Sequence, residues 1–127
     1  MKKFLTLILM SVISVSAMAG DWTKLGERRV SFKSEEDVIH VSGLRGKFDT
    51  IAFHVDKAPI FMKNIRLFYG NGETQSLHIN RRLYEGKRSM PFRLAGGERI
   101  INKIELNYRT AIGGHEWSEV TVYGRRD

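Results

Sequence analysis

Lys63-Asn64-Ile65-Arg66-Leu67-Phe68-Tyr69 decides the fold. Ile65, Leu67 and Tyr69 fall on one side of an extended chain, with Arg66 and Phe68 on the other, because successive side chains of a strand point to opposite faces. Asn102-Lys103-Ile104-Glu105-Leu106-Asn107-Tyr108 repeats the pattern. The echo is better explained by amphipathic strands drawing on one residue menu than by a duplicated half-domain. If the two strands pair in register, Arg66 and Glu105 share the outward face, an attraction worth about 0.2–1 kcal/mol.

Other runs have the same period. Ile51, Phe53 and Val55 alternate with Ala52 and His54, Leu77 and Ile79 flank His78, and Val120 and Val122 alternate with Glu119, Thr121 and Tyr123. Ser42-Gly43, Arg45-Gly46, Gly70-Asn71-Gly72, Glu85-Gly86, Gly96-Gly97 and Gly113-Gly114 punctuate the runs at spacings suited to turns. Pro91 beside Phe92 to Leu94 marks an edge strand or a strand start, since proline has no N–H for a ladder. No stretch after the N-terminal segment carries a sustained helical stripe. The pattern predicts an all-β chain: a single β-sandwich over 20–127, jelly-roll-like, with about 7–9 short strands.

The N-terminus has a different design. Lys2 and Lys3 precede an apolar run from Phe4 to Val15, and Ser16-Ala17-Met18-Ala19 follows with small residues at the A-x-A spacing. These are the parts of a secretory signal peptide over 1–19, cleaved after Ala19. The run is short for a membrane span, so the processed chain is expected to be periplasmic or secreted and not membrane-spanning. The sequence contains no cysteine, which excludes a disulfide framework, a thiolate metal site, a cysteine nucleophile and a lipoprotein anchor.

The 127 residues carry a formal charge of +7. Without the leader's two lysines the balance is +5, and all of it lies beyond Phe61. An exported chain has no nucleic-acid partner to meet, so the basicity points to another anion. It is densest in Asn80-Arg81-Arg82-Leu83-Tyr84-Glu85-Gly86-Lys87-Arg88-Ser89, with Arg93 and Arg99 just beyond. Guanidinium forks grip carboxylate or phosphate bidentately, and Tyr84 can stack. The candidate ligand-binding residues are therefore Arg81, Arg82, Tyr84, Lys87, Arg88 and Arg93. The bland alternative is a charged loop that keeps an edge strand soluble.

Catalytic signals are weak. His40, His54 and His78 alternate with apolar neighbours and point away from the core, and His115 lies in a glycine-bearing loop. No His spacing suits a metal, and neither metal nor cofactor is expected. Glu35-Glu36-Asp37 reads as a solvated turn, and no nucleophile motif is present. Trp117, Glu119, Thr121 and Tyr123 share one parity on the last strand. That face reads either as a sugar-stacking platform or, better, as a side covered by a second sheet, leaving both faces of the strand buried.

The leader, the opening Trp22-Thr23-Lys24-Leu25-Gly26, the Tyr69–Gly72 turn, the Lys103–Tyr108 strand and the closing Val122-Tyr123-Gly124 together resemble a family of short exported bacterial proteins of unknown function. The resemblance implies a small β-sandwich with no established activity, and no catalytic residue carries over. The expectation is a non-catalytic cell-envelope binding or accessory protein. Its basic 81–99 segment would meet an anionic envelope polymer (lipopolysaccharide or peptidoglycan), a phospholipid or an acidic protein. A structural subunit pairing through an exposed sheet edge is the alternative, and a small envelope hydrolase the second alternative.

Overall fold

The computed structural model describes residues 22–31, 36–110 and 117–126. The leader with its cleavage site, Glu35, the Gly113-Gly114 turn, His115 and Glu116 lie outside the described residues. Among the described residues there are ten strand segments: β1 (Thr23–Ser31), β2 (Glu36–His40), β3 (Lys47–Phe48), β4 (Thr50–Asp56), β5 (Ile60–Tyr69), β6 (Thr74–Leu83), β7 (Lys87–Arg88), β8 (Phe92–Arg93), β9 (Arg99–Thr110) and β10 (Trp117–Arg125).

They reduce to eight strands. β2 and β3 both pair with β9, interrupted by a 3-10 turn at Gly43–Arg45. β7 and β8 both pair with β4. Pro91 falls in the break between them, where the Ser89 hydroxyl takes the ladder's place and accepts a hydrogen bond from the Phe53 N–H at 2.9 Å. Sheet A runs β1-β10-β4-β7/β8 and sheet B runs β2/β3-β9-β5-β6, all antiparallel. First strand pairs with last, second with seventh, third with sixth and fourth with fifth. This is the nested wrapping of an eight-stranded jelly roll, so the all-β sandwich expected from the alternation is the fold found.

The core lies between the sheets. Ile51, Phe53, Val55, Val120 and Val122 from sheet A meet Ile65, Leu67, Ile104, Leu106 and Tyr108 from sheet B, each essentially fully buried. The echoing segments 63–69 and 102–108 are antiparallel neighbours in sheet B, with Ile65 opposite Leu106 and Leu67 opposite Ile104. Their likeness is that of adjacent strands filling one core face. Arg66 stands directly opposite Glu105, as the in-register pairing requires, with its guanidinium 5.7 Å from the Phe68 ring.

Two glycines let the sheets approach. A Cβ on Gly124 would come within 2.8 Å of the Phe48 ring, and one on Gly26 within 2.7 Å of Ile39. Beyond β4, Ser118 closes the crossover to sheet B. Its buried hydroxyl lies 2.8 Å from the Asp56 carbonyl and 2.6 Å from that of Ala58.

Two expectations need correction. The last strand is not buried on both sides. Ser118, Val120 and Val122 are buried while Trp117, Glu119, Thr121 and Tyr123 are half-buried, because sheet B covers only the valine side. Glu36 and Asp37 do not form a solvated turn but begin β2. The Asp37 side chain is only 12% exposed and joins the sheets. It accepts from the Tyr108 hydroxyl at 2.7 Å and pairs with Arg28 of β1 at 3.0 Å.

A basic seam and a polar groove

Strand β6 is an edge of sheet B, and β7/β8 an edge of sheet A. A short turn joins them at one end of the sandwich. The Lys87 N–H approaches the Tyr84 carbonyl, Gly86 takes φ 77, and its N–H donates to the Val55 carbonyl at 2.8 Å. Both sheets therefore present an open edge at the same seam.

β6 enters the seam through a bulge. Met62 pairs with Arg81 and Asn64 with His78, so Ile79 and Asn80 face Lys63 alone. Asn80 sits at φ 46, a conformation that asparagine tolerates better than most residues. Beyond the bulge Arg81 lies opposite Met62, which is fully buried. Its inward parity on an edge strand turns the side chain into the seam instead of the core, a placement that also protects the edge from pairing with another sheet.

Five of the six candidate residues converge there. Arg81, Arg82, Tyr84, Lys87 and Arg88, with Leu83, Ser89 and Met90, line a cleft of about 220 Å³. All four cations are exposed, and the lining contains no carboxylate. Glu85, at the tip of the turn, is the acid nearest in sequence. Arg88 also lies over the Trp22 ring at 4.9 Å, with Arg125 on the same ring at 4.4 Å. Arg93 is outside the cleft, farther along β8 opposite Thr50.

Arg99 belongs to the opposite end. It begins β9 beside the β5–β6 hairpin, where its guanidinium packs 3.9 Å from the Tyr69 ring, pairs with Glu73 and donates to the Ala95 carbonyl at 2.9 Å. A side-chain hydrogen bond from Asn71 and then the Arg99 guanidinium hold the Glu73 carboxyl below its ordinary range. Burial raises the Tyr69 phenol. The 81–99 segment thus runs from one end of the sandwich to the other, and its last arginine is part of the scaffold.

A second depression, of about 430 Å³, lies on the outer face of sheet B. The register arranges it in rows. Glu36, Asn107, Asn64 and His78 cross the strands in one, and Val38, Glu105, Arg66 and Ser76 in the next. Flanking rows hold Phe61 under Arg109 at 4.8 Å and Phe68 under Lys103 at 4.5 Å. His40 and His78 lie on this face at opposite edges, whereas His54 faces outward on sheet A. Among the described residues no group of three or more His, Asp or Glu is placed to hold a metal. Trp117, one of two outward aromatics on β10, is covered by Arg29 at 3.9 Å and approached by Lys57 at 5.8 Å, which fills its stacking face.

Charge density located the basic segment, but the sequence reading missed both the groove and the Arg28–Asp37–Tyr108 tie. Asp37 and Tyr108 are 71 residues apart, and no spacing within either strand signals the contact.

No curated protein matches the chain. A family model described as a domain of unknown function matches residues 4–124, nearly the whole sequence, and the chain therefore belongs to that family, DUF2541.

Proposed function

We propose that this is an exported, non-catalytic binding or accessory protein of the cell envelope that recognises an anionic group at the seam between β6 and β7. The observation that carries the reading is the convergence of Arg81, Arg82, Lys87 and Arg88, from the edges of two different sheets, around a cleft with no carboxylate in its lining. Four cations meeting without an internal counter-charge repel one another, and an anionic ligand relieves that repulsion. The edge-pairing alternative is less well supported, because the Asn80 bulge and the inward Arg81 blunt β6, while Pro91 interrupts β7/β8.

Retention of the protein on immobilised polyphosphate tests the reading. The wild type should be held and released by salt. Replacement of all four cations by serine should abolish retention and flatten the salt dependence, since screening acts only on charges that are present. Equal retention of the variant would refute the site.

One observation favours a second reading, hydrolysis at the sheet-B groove. Glu36 lies opposite Asn107, two residues along β9 from Glu105, so the two carboxylates are diagonal neighbours about 7–8 Å apart at Cα. Paired-acid chemistry needs carboxylates on either side of a scissile bond. Turnover of an envelope glycan, lost in both Glu36→Gln and Glu105→Gln, would establish this reading in place of the first.

A further inference from the structure

The seam carries a second property besides its charge. Among the described residues three large apolar side chains stand well exposed: Leu44, Tyr84 at 59% and Met90 at 50%. Leu44 lies in the 3-10 turn between β2 and β3, but Tyr84 and Met90 both line the basic cleft. Within eight lining residues the surface therefore combines four long cationic side chains, a tyrosine and a methionine.

We propose that this seam docks on the surface of an anionic phospholipid bilayer, with Tyr84 and Met90 entering the headgroup layer between the four cations. The inference rests on the reading of the seam as an anion site and names the partner. A small soluble anion is best held by buried, preorganised donors, and here every cation is exposed on an edge strand. A bilayer surface suits what is present. It supplies a plane of phosphates for side chains that can spread, and an interfacial layer that accepts an amphipathic tyrosine ring and a flexible thioether chain. Lys and Arg stems lie along the apolar surface while their heads stay with the phosphates.

The turn between the two edges is tied back to β4 by the Gly86 N–H on the Val55 carbonyl, while its outer side is open: a Cβ added at Gly86 would meet nothing within 4 Å. Glu85 in that turn opposes docking, because it brings a negative charge towards a negative surface.

Co-sedimentation with vesicles of phosphatidylglycerol and phosphatidylcholine, against phosphatidylcholine alone, tests the proposal beside the polyphosphate column. All variants are expressed with the same leader and their N-termini established by mass spectrometry, so differences between them report the seam. The wild type should pellet with the mixed vesicles in preference to the neutral ones. Tyr84→Ser combined with Met90→Ser should lower vesicle affinity roughly tenfold while leaving polyphosphate retention unchanged, since only a bilayer offers apolar depth. Glu85→Gln should raise vesicle affinity about fivefold, the equivalent of one charge near such a surface. Both positions are exposed, and matching thermal transitions would show the variants folded. If the wild type is retained by polyphosphate yet fails to pellet with mixed vesicles, or if the double variant pellets as well as the wild type, bilayer docking is refuted and the anion site stands. If neither probe is bound, both fall together.

Discussion

Replacing Tyr108 by Phe should loosen the join between the two sheets at their β1/β2 edge. Tyr108 is fully buried on β9, and its hydroxyl donates to Asp37 Oδ2 at 2.7 Å, with the Ser31 carbonyl 3.4 Å away. The other Asp37 oxygen accepts from Arg28 Nε on β1 at 3.0 Å. The substitution keeps the ring and its packing and removes one hydrogen bond to an ionised, largely buried group, a loss of about 1.5–3 kcal/mol. A shift of about 4–8 °C per kcal/mol in a domain of this size puts the fall in Tm near 10 °C. The salt bridge contributes less, because Arg28 is half-exposed, and Arg28→Ala should cost under about 1 kcal/mol. Urea unfolding of the wild type, Tyr108→Phe, Asp37→Asn and the double variant, at constant m, separates these contributions. The coupling between Tyr108 and Asp37 should be about 1 kcal/mol or more. A Tyr108→Phe cost below about 0.5 kcal/mol, or a coupling near zero, would mean that the hydroxyl contributes no net stability and that the reasoning is wrong.

Gly124→Ala should destabilise by about 1–3 kcal/mol in the same assay, because the new methyl meets Phe48 at under 3 Å and Leu25 at 3.1 Å; a neutral result would show that the sheets can separate there at little cost. At Asn80, Gly should be tolerated within about 0.5 kcal/mol, while a β-branched Val should lose more than about 1 kcal/mol at φ 46, and equal effects would remove the bulge from the argument. Asn71 and then Arg99 hold the Glu73 carboxyl below its ordinary range, so these contacts stabilise the fold above that range and fade as pH falls through the lowered value. Thermal unfolding of wild type and Glu73→Gln should accordingly differ at neutral pH and converge as pH falls below the lowered value. A gap that widens on acidification would contradict the assignment.

The inward residues were legible because each strand declares its own faces. Ile51, Phe53, Val55, Ile65, Leu67, Ile104, Leu106, Val120 and Val122 alternate in the sequence and fill the core in the structure. The Tyr69–Gly72 turn was legible for a similar local reason. Gly72 adopts φ 92, the Gly72 N–H returns to the Tyr69 carbonyl at 3.0 Å, and the hairpin closes within a few residues. Alternation says which side a residue is on and nothing about what covers that side. The outward face of β10 and the role of Asp37 were misjudged for that reason. Trp117 and Tyr123 are apolar enough to suggest a covering sheet, but Arg29 and Lys57 cover Trp117 instead. The acids that open β2 look solvated in the sequence, but a tyrosine from β9 reaches Asp37.

The amino-acid pattern by itself determined that the chain is built of amphipathic strands, where most of them turn, and that Pro91 marks an edge strand or a strand start. These properties depend on side-chain parity and backbone sterics over a few residues. Only the tertiary structure decided that β6 and β7 bring their open edges together, so that Arg81, Arg82, Lys87 and Arg88 share a cleft with Tyr84 and Met90 while Arg99 is bound to Glu73 at the far end. Strand order is set by which long-range pairings bury the most apolar surface together, a competition among all eight strands that no single segment encodes.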